Sequence, residues 1–211
     1  MLHKDSQIIA PETFSLIQQL QTTSEIKEFN FVVGSNALQL GFRTSNDIDL
    51  FTPNSFEYYQ IISLLETRFN YRVAFVRNNT IICFINNIKV DFISHPYPYV
   101  LPPITEEGIT FLSKQDIAAM KLNANVNSGQ RIKDFIDVYV LLTEFSLNQM
   151  LEFYKKKYPN SNPLTAIKAL NYFDDIDEAI DPPKMIKPIP LKNIRQRIQQ
   201  ATLHADKIFS E

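Results

Sequence analysis

Apolar positions along the 211-residue chain recur in two periods, and the change from one to the other divides it. PETFSLIQQLQ has the three-to-four-residue spacing of an amphipathic helix, and FNFVV reads as a short strand that stops at Gly34. SNALQLGF has the residues for a short helix, so strand, glycine turn and helix follow in that order. SNDIDLFT is the next predicted strand. Side chains two apart on a strand share a face, so Ile48 and Leu50 lie on one side, Asp47 and Asp49 on the other. A helix from Ser55 to about Phe69 follows. Three β-rich runs, YRVAFVR, TIICFIN and IKVDFIS, are separated by Asn78-Asn79 and Asn86-Asn87, pairs whose tolerance of left-handed backbone suits tight antiparallel hairpins.

HPYPYVLPP then interrupts the pattern with four prolines, and beyond Ser113 the spacing is helical to the end. The expected fold is α+β, or mixed α/β. Residues 1–103 form a core with a small mixed or antiparallel sheet flanked by helices, and residues 104–211 form a helical lobe. DDIDEAID, running into PPKMIKPIP, lacks the glycine and spacing of a calcium loop and reads as a solvated linker. A last helix, from about Leu191 to Phe209, carries Lys192, Arg195 and Arg197 on what reads as a solvent face.

A net charge of −2 provides no general attraction to nucleic acid, so any polyanion has to be met by a local patch. The N-terminus lacks the apolar run of a signal peptide, and the longest apolar run, VYVLL, is far too short to span a bilayer. A cytoplasmic protein with no membrane partner is expected. Cys83 is the single cysteine and reads as a packing residue, while His3, His95 and His204 are too scattered for a zinc site.

The candidate chemistry lies in the acids. Carboxylates two apart on a strand can converge on one point, where two unit charges at about 4 Å repel by roughly 4 kcal/mol at an effective dielectric of 20. A divalent cation removes that penalty. In IKVDFIS, Asp91 shares its face with Lys89 and Ile93. If that run lies beside SNDIDLF, Asp91 becomes the third carboxylate of an oxygen-rich site suited to Mg²⁺ or Mn²⁺. The plainer reading makes Asp47 a turn residue and leaves Asp49 and Asp91 as exposed charges of edge strands. Gly34-Ser35, separated from Asp47 by an eleven-residue spacer, favours the site, because a glycine leaving a strand ahead of a helix presents backbone N–H groups to a phosphate.

Gly-Ser, a spacer, Asp-Ile-Asp and a later strand acid together resemble the DNA polymerase β-like nucleotidyltransferase superfamily. LQLGFRTSNDIDLF and DIAAMKLNANVNSGQRIKDFIDVYVLL are similar to its AbiEii/AbiGii-type toxin branch. The resemblance covers roughly Phe31 to Leu142. It implies a polymerase-β-like core and a bacterial toxin of the abortive-infection or toxin–antitoxin kind that transfers a nucleotide from an NTP. The acceptor it implies is an RNA, with tRNA 3′ ends as the model, and a cognate antitoxin is the implied partner. Gly34 and Ser35 match the phosphate-binding turn, Asp47 and Asp49 the metal pair, Asp91 the third carboxylate, Lys121 the later lysine and Asp137, with Asp134 beside it, the acidic end. The branch commonly has Gly-Gly where this chain has Gly34-Ser35, and its spacer from the lysine to the second acid is one residue shorter.

Spacing alone reads the later residues differently. Lys121 falls on the apolar stripe of Ile117, Met120 and Ala124, where a cation needs an anion to meet it, and an NTP phosphate would serve. Helical spacing puts Asp134 with Val138 and Leu141 on the buried side, and Asp137 with Lys133 and Glu144 on the polar side. Spacing therefore favours Asp134 as the buried, perturbed acid, whereas the resemblance favours Asp137, which is taken as the functional acid with Asp134 as its structural neighbour. Arg43 reads either as an exposed loop residue or as a phosphate ligand. Two other functions fit the same residues: a same-fold transferase acting on a protein or small molecule, and an inactive nucleotide- or partner-binding module.

Overall fold

A computed structural model describes residues 5–31, 41–44, 47–180 and 182–210. The expected helix over SNALQLGF and the Gly34-Ser35 turn therefore lie outside the described residues. Contacts divide the chain into two compact units, one of residues 1–97 and 102–112, the other of 98–101 and 113–211.

The first unit opens with helix α1 (Pro11–Thr22), which starts on a proline at its first turn, where no intrahelical N–H is needed. Strands β1 (Asn30–Phe31) and β2 (Ile48–Thr52), helix α2 (Tyr58–Arg68), and strands β3 (Tyr71–Arg77), β4 (Thr80–Ile85) and β5 (Ile88–Ser94) follow. Strands β6 (Ile104–Glu106) and β7 (Ile109–Phe111) complete a seven-stranded mixed sheet of order β3-β4-β5-β2-β1-β7-β6. The last two strands were not visible in the alternation of the sequence. Glu107 and Gly108 turn between them, both at positive φ.

The asparagine hairpins form as expected. Asn86 and Asn87 take φ of 50° and 66°, the pair of left-handed residues that a two-residue turn needs to match strand twist, and Asn79 takes 61°. The alternation in β2 also holds: Ile48 and Leu50 are fully buried, together with Val90 and Phe92 of β5 and Ile81, Cys83 and Ile85 of β4. Phe92 meets the ring of Phe29 edge-on, with centroids 5.5 Å apart.

The second unit is helical: α3 (Lys114–Asn127), α4 (Ile132–Leu141), α5 (Leu147–Lys157), α6 (Pro163–Leu170) and α7 (Leu191–Leu203). Ser113 caps α3 as its sequence predicts, its Oγ accepting from the Asp116 N–H at 3.0 Å. The acidic stretch from Asp174 to Ile180 is mostly exposed, in keeping with a solvated linker. Lys192 and Arg195 face solvent, whereas Arg197 lies over the Tyr139 ring at 3.7 Å and donates to the Tyr139 and Ser210 carbonyls.

One buried carboxylate ties the proline-rich segment to this unit. Asp116, fully buried, accepts from the backbone N–H groups of Val100 at 2.9 Å and Leu101 at 3.2 Å, from the Ser113 hydroxyl at 2.5 Å and from Lys157 Nζ at 2.8 Å. Lys157 is itself 1% exposed and also donates to the Pro98 carbonyl at 3.3 Å.

Removing one member of a buried pair strands its partner, typically at about 3–5 kcal/mol. Asp116→Ala takes the acceptor from two amides and a hydroxyl and the counter-charge from an ammonium left with the neutral Pro98 carbonyl. Lys157→Met leaves a carboxylate that still accepts three bonds. Urea unfolding is expected to show a loss of roughly 3–5 kcal/mol for Asp116→Ala and a clearly smaller one for Lys157→Met; equal losses would contradict this ordering. In the sheet, burial pushes the Cys83 thiol up to about 12, with a smaller contribution from the Asp91 charge that outweighs Lys89. A thiol reagent at pH 8 is expected to modify Cys83 only after denaturant is added.

Candidate functional site

β2 and β5 are separated in the sequence by α2, β3 and β4, yet they lie side by side as parallel strands with Asp49 paired to Asp91 and Leu50 to Phe92. The apolar partners sink into the core, and the same period leaves the two acids on the opposite face. Asp91 is 7% exposed and Asp49 is half-buried. Asp47 immediately precedes β2, and continuing the register by one step sets it beside Lys89.

That lysine supplies the charge that the sequence reading gave to a metal. Lys89 Nζ stands 2.6 Å from Asp91 Oδ2, on the same face two residues earlier in β5. Burial acts to lower the Lys89 pKa, but the hydrogen bond to Asp91 and the charges of Asp91, Asp49 and Asp47 outweigh it, so the net shift is upward. Three carboxylates thus act on one ammonium. The other Asp91 oxygen, Oδ1, is buried with no hydrogen-bond partner among the described residues. Among the described residues no three acid, histidine or cysteine side chains are gathered tightly enough to hold a metal ion. The sequence had placed Lys89 on this face without giving it a part, although its two-residue spacing from Asp91 was the available signal.

The later motif forms a second polar cluster, within the helical unit. Lys121 of α3 is 7% exposed, and its Nζ lies 2.8 Å from Asp134 Oδ1 and 2.7 Å from Asp137 Oδ2. Arg131 closes on Asp134 Oδ2 through NH2 at 2.7 Å and Nε at 2.9 Å. The anions that meet the lysine on its apolar stripe are therefore carboxylates of α4. Asp137 does not lie on a polar side: it is fully buried, as is Asp134 at 2%. α4 contacts both α3 and α7, so its outer face by wheel is covered as well, and Glu144 pairs instead with Lys114 at 2.6 Å. One turn after Lys121, Asn125 donates to the Lys121 carbonyl at 2.9 Å, while its Oδ1 is buried without a partner among the described residues.

Arg43 is no exposed loop residue either. It is 6% exposed, with its guanidinium 5.8 Å from the Phe42 ring centroid. Asp47, Asp49 and Asp91 thus belong to the sheet unit, and Lys121, Asp134 and Asp137 to the helical unit. The first set can hold a cation against like charge; the second fixes a lysine between two acids.

These arrangements have relatives. A protein of Aquifex aeolicus (strain VF5), itself uncharacterised, is 30% identical over 158 residues, which span 71% of this chain and 76% of that one. Two solved structures share the fold. MenT4, a nucleotidyltransferase toxin from Mycobacterium tuberculosis H37Rv, superposes with a TM-score of 0.59 at 13% identity over 90% of this chain and 80% of its own. JHP933 from Helicobacter pylori gives 0.52 at 11% identity over 92% and 88%. The model of the AbiEii family, described as a nucleotidyl transferase toxin of type IV toxin–antitoxin systems, matches residues 34–207, a span that takes in both the strand acids and the Lys121 cluster. The chain therefore belongs to the AbiEii family: it is a nucleotidyltransferase toxin, of a class that takes an NTP as substrate and is paired with an antitoxin.

Proposed function

We propose that this toxin moves a nucleotide from an NTP, with Mg²⁺ or Mn²⁺, onto the 3′ end of an RNA, with tRNA the favoured acceptor. The observation that carries the reading is the Asp49–Asp91 register, with Asp91 Oδ1 buried and without a hydrogen-bond partner among the described residues. An all-oxygen set with an unused lone pair suits a hard divalent ion, and Asp47, Asp49 and Asp91 are the residues that would hold it. Such an ion supplies charge neutralisation on the phosphates during transfer. The RNA acceptor is supported by the resemblance to the toxin branch, whose implied acceptor is an RNA end.

The residues of the chain do the rest. Asp91 takes the proton as the acceptor hydroxyl attacks the α-phosphorus; a new O–P bond forms, the bond to the bridging oxygen breaks, and pyrophosphate leaves. Gly34 and Ser35 are assigned to the phosphates through their backbone N–H groups, and Arg43, just before the acidic strand, as a further phosphate-side residue. Lys121 and Asp137 are the remaining functional pair of this reading, with Asp134 and Arg131 positioning the lysine.

Incubating the protein with α-labelled NTPs and a mixed RNA and protein fraction is expected to label RNA, to stop on chelation, and to resume with added Mg²⁺ or Mn²⁺. Asp49→Ala is expected to lower transfer by at least roughly 10²–10³-fold, the scale of losing one electrostatic stabiliser, with its melting temperature close to the parent's. Label on protein alone would remove the RNA assignment. For Lys121 the two roles separate by variant. Lys121→Met takes the ammonium from two buried acids, of which Asp134 keeps Arg131, and is expected to lose roughly 3–5 kcal/mol in urea unfolding, while Lys121→Arg keeps the charge and most of the stability. Full transfer activity in Lys121→Arg would make the residue structural only.

A further inference from the structure

The face of the sheet that carries the acids continues outward to the edge strand, and what it displays there is unlike a solvated edge. Asp91 pairs with Ile82 of β4, and Ile82 with Phe75 of β3; Lys89 pairs with Phe84, and Phe84 with Arg72; Ile93 pairs with Thr80, and Thr80 with Arg77. Directly paired residues point to the same side. Phe75, Arg72 and Arg77 therefore lie on the Asp91 face, two strands or roughly 10 Å away.

A β-bulge makes this possible. Arg72 and Phe75 are three residues apart and would face opposite sides of a regular strand. The register shifts between Val73 and Phe75, and the extra residue, Ala74, turns both onto one face. Phe75 is 47% exposed and Arg72 and Arg77 are exposed, while the Arg72 guanidinium stands 4.4 Å from the centroid of the Phe84 ring. Lysine or arginine alone on an edge strand guards against edge-to-edge pairing. An exposed phenylalanine between two arginines does not serve that purpose.

We infer that the outer face of β3 and β4 is a platform for the single-stranded end of the RNA acceptor, with Phe75 stacking on a base and Arg72 and Arg77 meeting backbone phosphates. The chemistry is the sequence-tolerant kind: every base has a face to stack, and every phosphate a charge for a guanidinium. It also accounts for how a chain of net charge −2 meets a polyanion, through a local basic patch on the face that carries its acids. This inference rests on the proposed RNA acceptor.

Anisotropy of a fluorescent single-stranded RNA oligonucleotide with the intact protein tests it. Phe75→Ala is expected to weaken binding about 10-fold, within the range for losing one stacked base, and Phe75→Trp to bind at least as tightly as the parent. Arg72→Ala with Arg77→Ala is expected to flatten the salt dependence by about 0.7 per arginine. Mg²⁺–NTP affinity by calorimetry is expected to stay unchanged in all of them. Parent-like RNA binding and salt slope in these variants would overturn the platform and leave the acceptor assignment standing. A parent that binds no RNA, while still transferring label to protein, would overturn both. Loss of antitoxin binding with RNA binding intact would reassign the face to a protein.

Discussion

The parallel pairing of β2 with β5 is the constraint on which the candidate site depends. Asp49 is held opposite Asp91 because Ile48, Leu50, Val90 and Phe92 are all fully buried on the other side. Burying such side chains is worth about 1.5–3 kcal/mol each, so together they outweigh the roughly 4 kcal/mol of repulsion between two acids about 4 Å apart. A slip of one residue would exchange the faces and put both carboxylates into the core. The apolar half of the strands thus fixes the acidic half.

Lys157, Lys121 and Lys89 each meet the carboxylates of a motif or core residue, and they do so to different degrees. Lys157 and Lys121 are 1% and 7% exposed, and each is held by carboxylates more buried than itself. The Lys89 side chain is 35% exposed, and solvent screens its hold on Asp91. Of the three ammonium groups, that at Asp91 is the most weakly tied. It is also the one set among the three strand acids, whose charges all act to raise its pKa.

Much of the first unit was legible because its signals are local. Two-residue alternation predicted the faces of β2, paired asparagines predicted the hairpins, and the helical spacing beyond Ser113 predicted the start of α3. The failures share a cause, since each depends on a neighbour distant in sequence. Asp137 looked polar by its own helical wheel, which cannot show that α3 and α7 cover α4 from two sides. Strands of three residues, as in β6 and β7, carry too few positions for a period to appear. The bulge at Ala74 was invisible for the opposite reason: YRVAFVR reads as an unbroken strand, and only pairing with β4 reveals the extra residue.

The two halves of the motif therefore bear differently on stability. In the sheet unit the acids stand on the face opposite the core, so the packing that sets their register does not depend on their charge. In the helical unit Lys121, Asp134 and Asp137 are inside the core, and their mutual hydrogen bonds are what make their burial tolerable. A loss of function at the strand acids can be read as chemistry. The same loss at the buried cluster mixes chemistry with folding, and a charge-keeping variant is needed to separate them. Sequence motifs rank all six residues alike, whereas the fold separates them: the strand acids stand on the face opposite the apolar core, and Lys121, Asp134 and Asp137 lie within the helical unit.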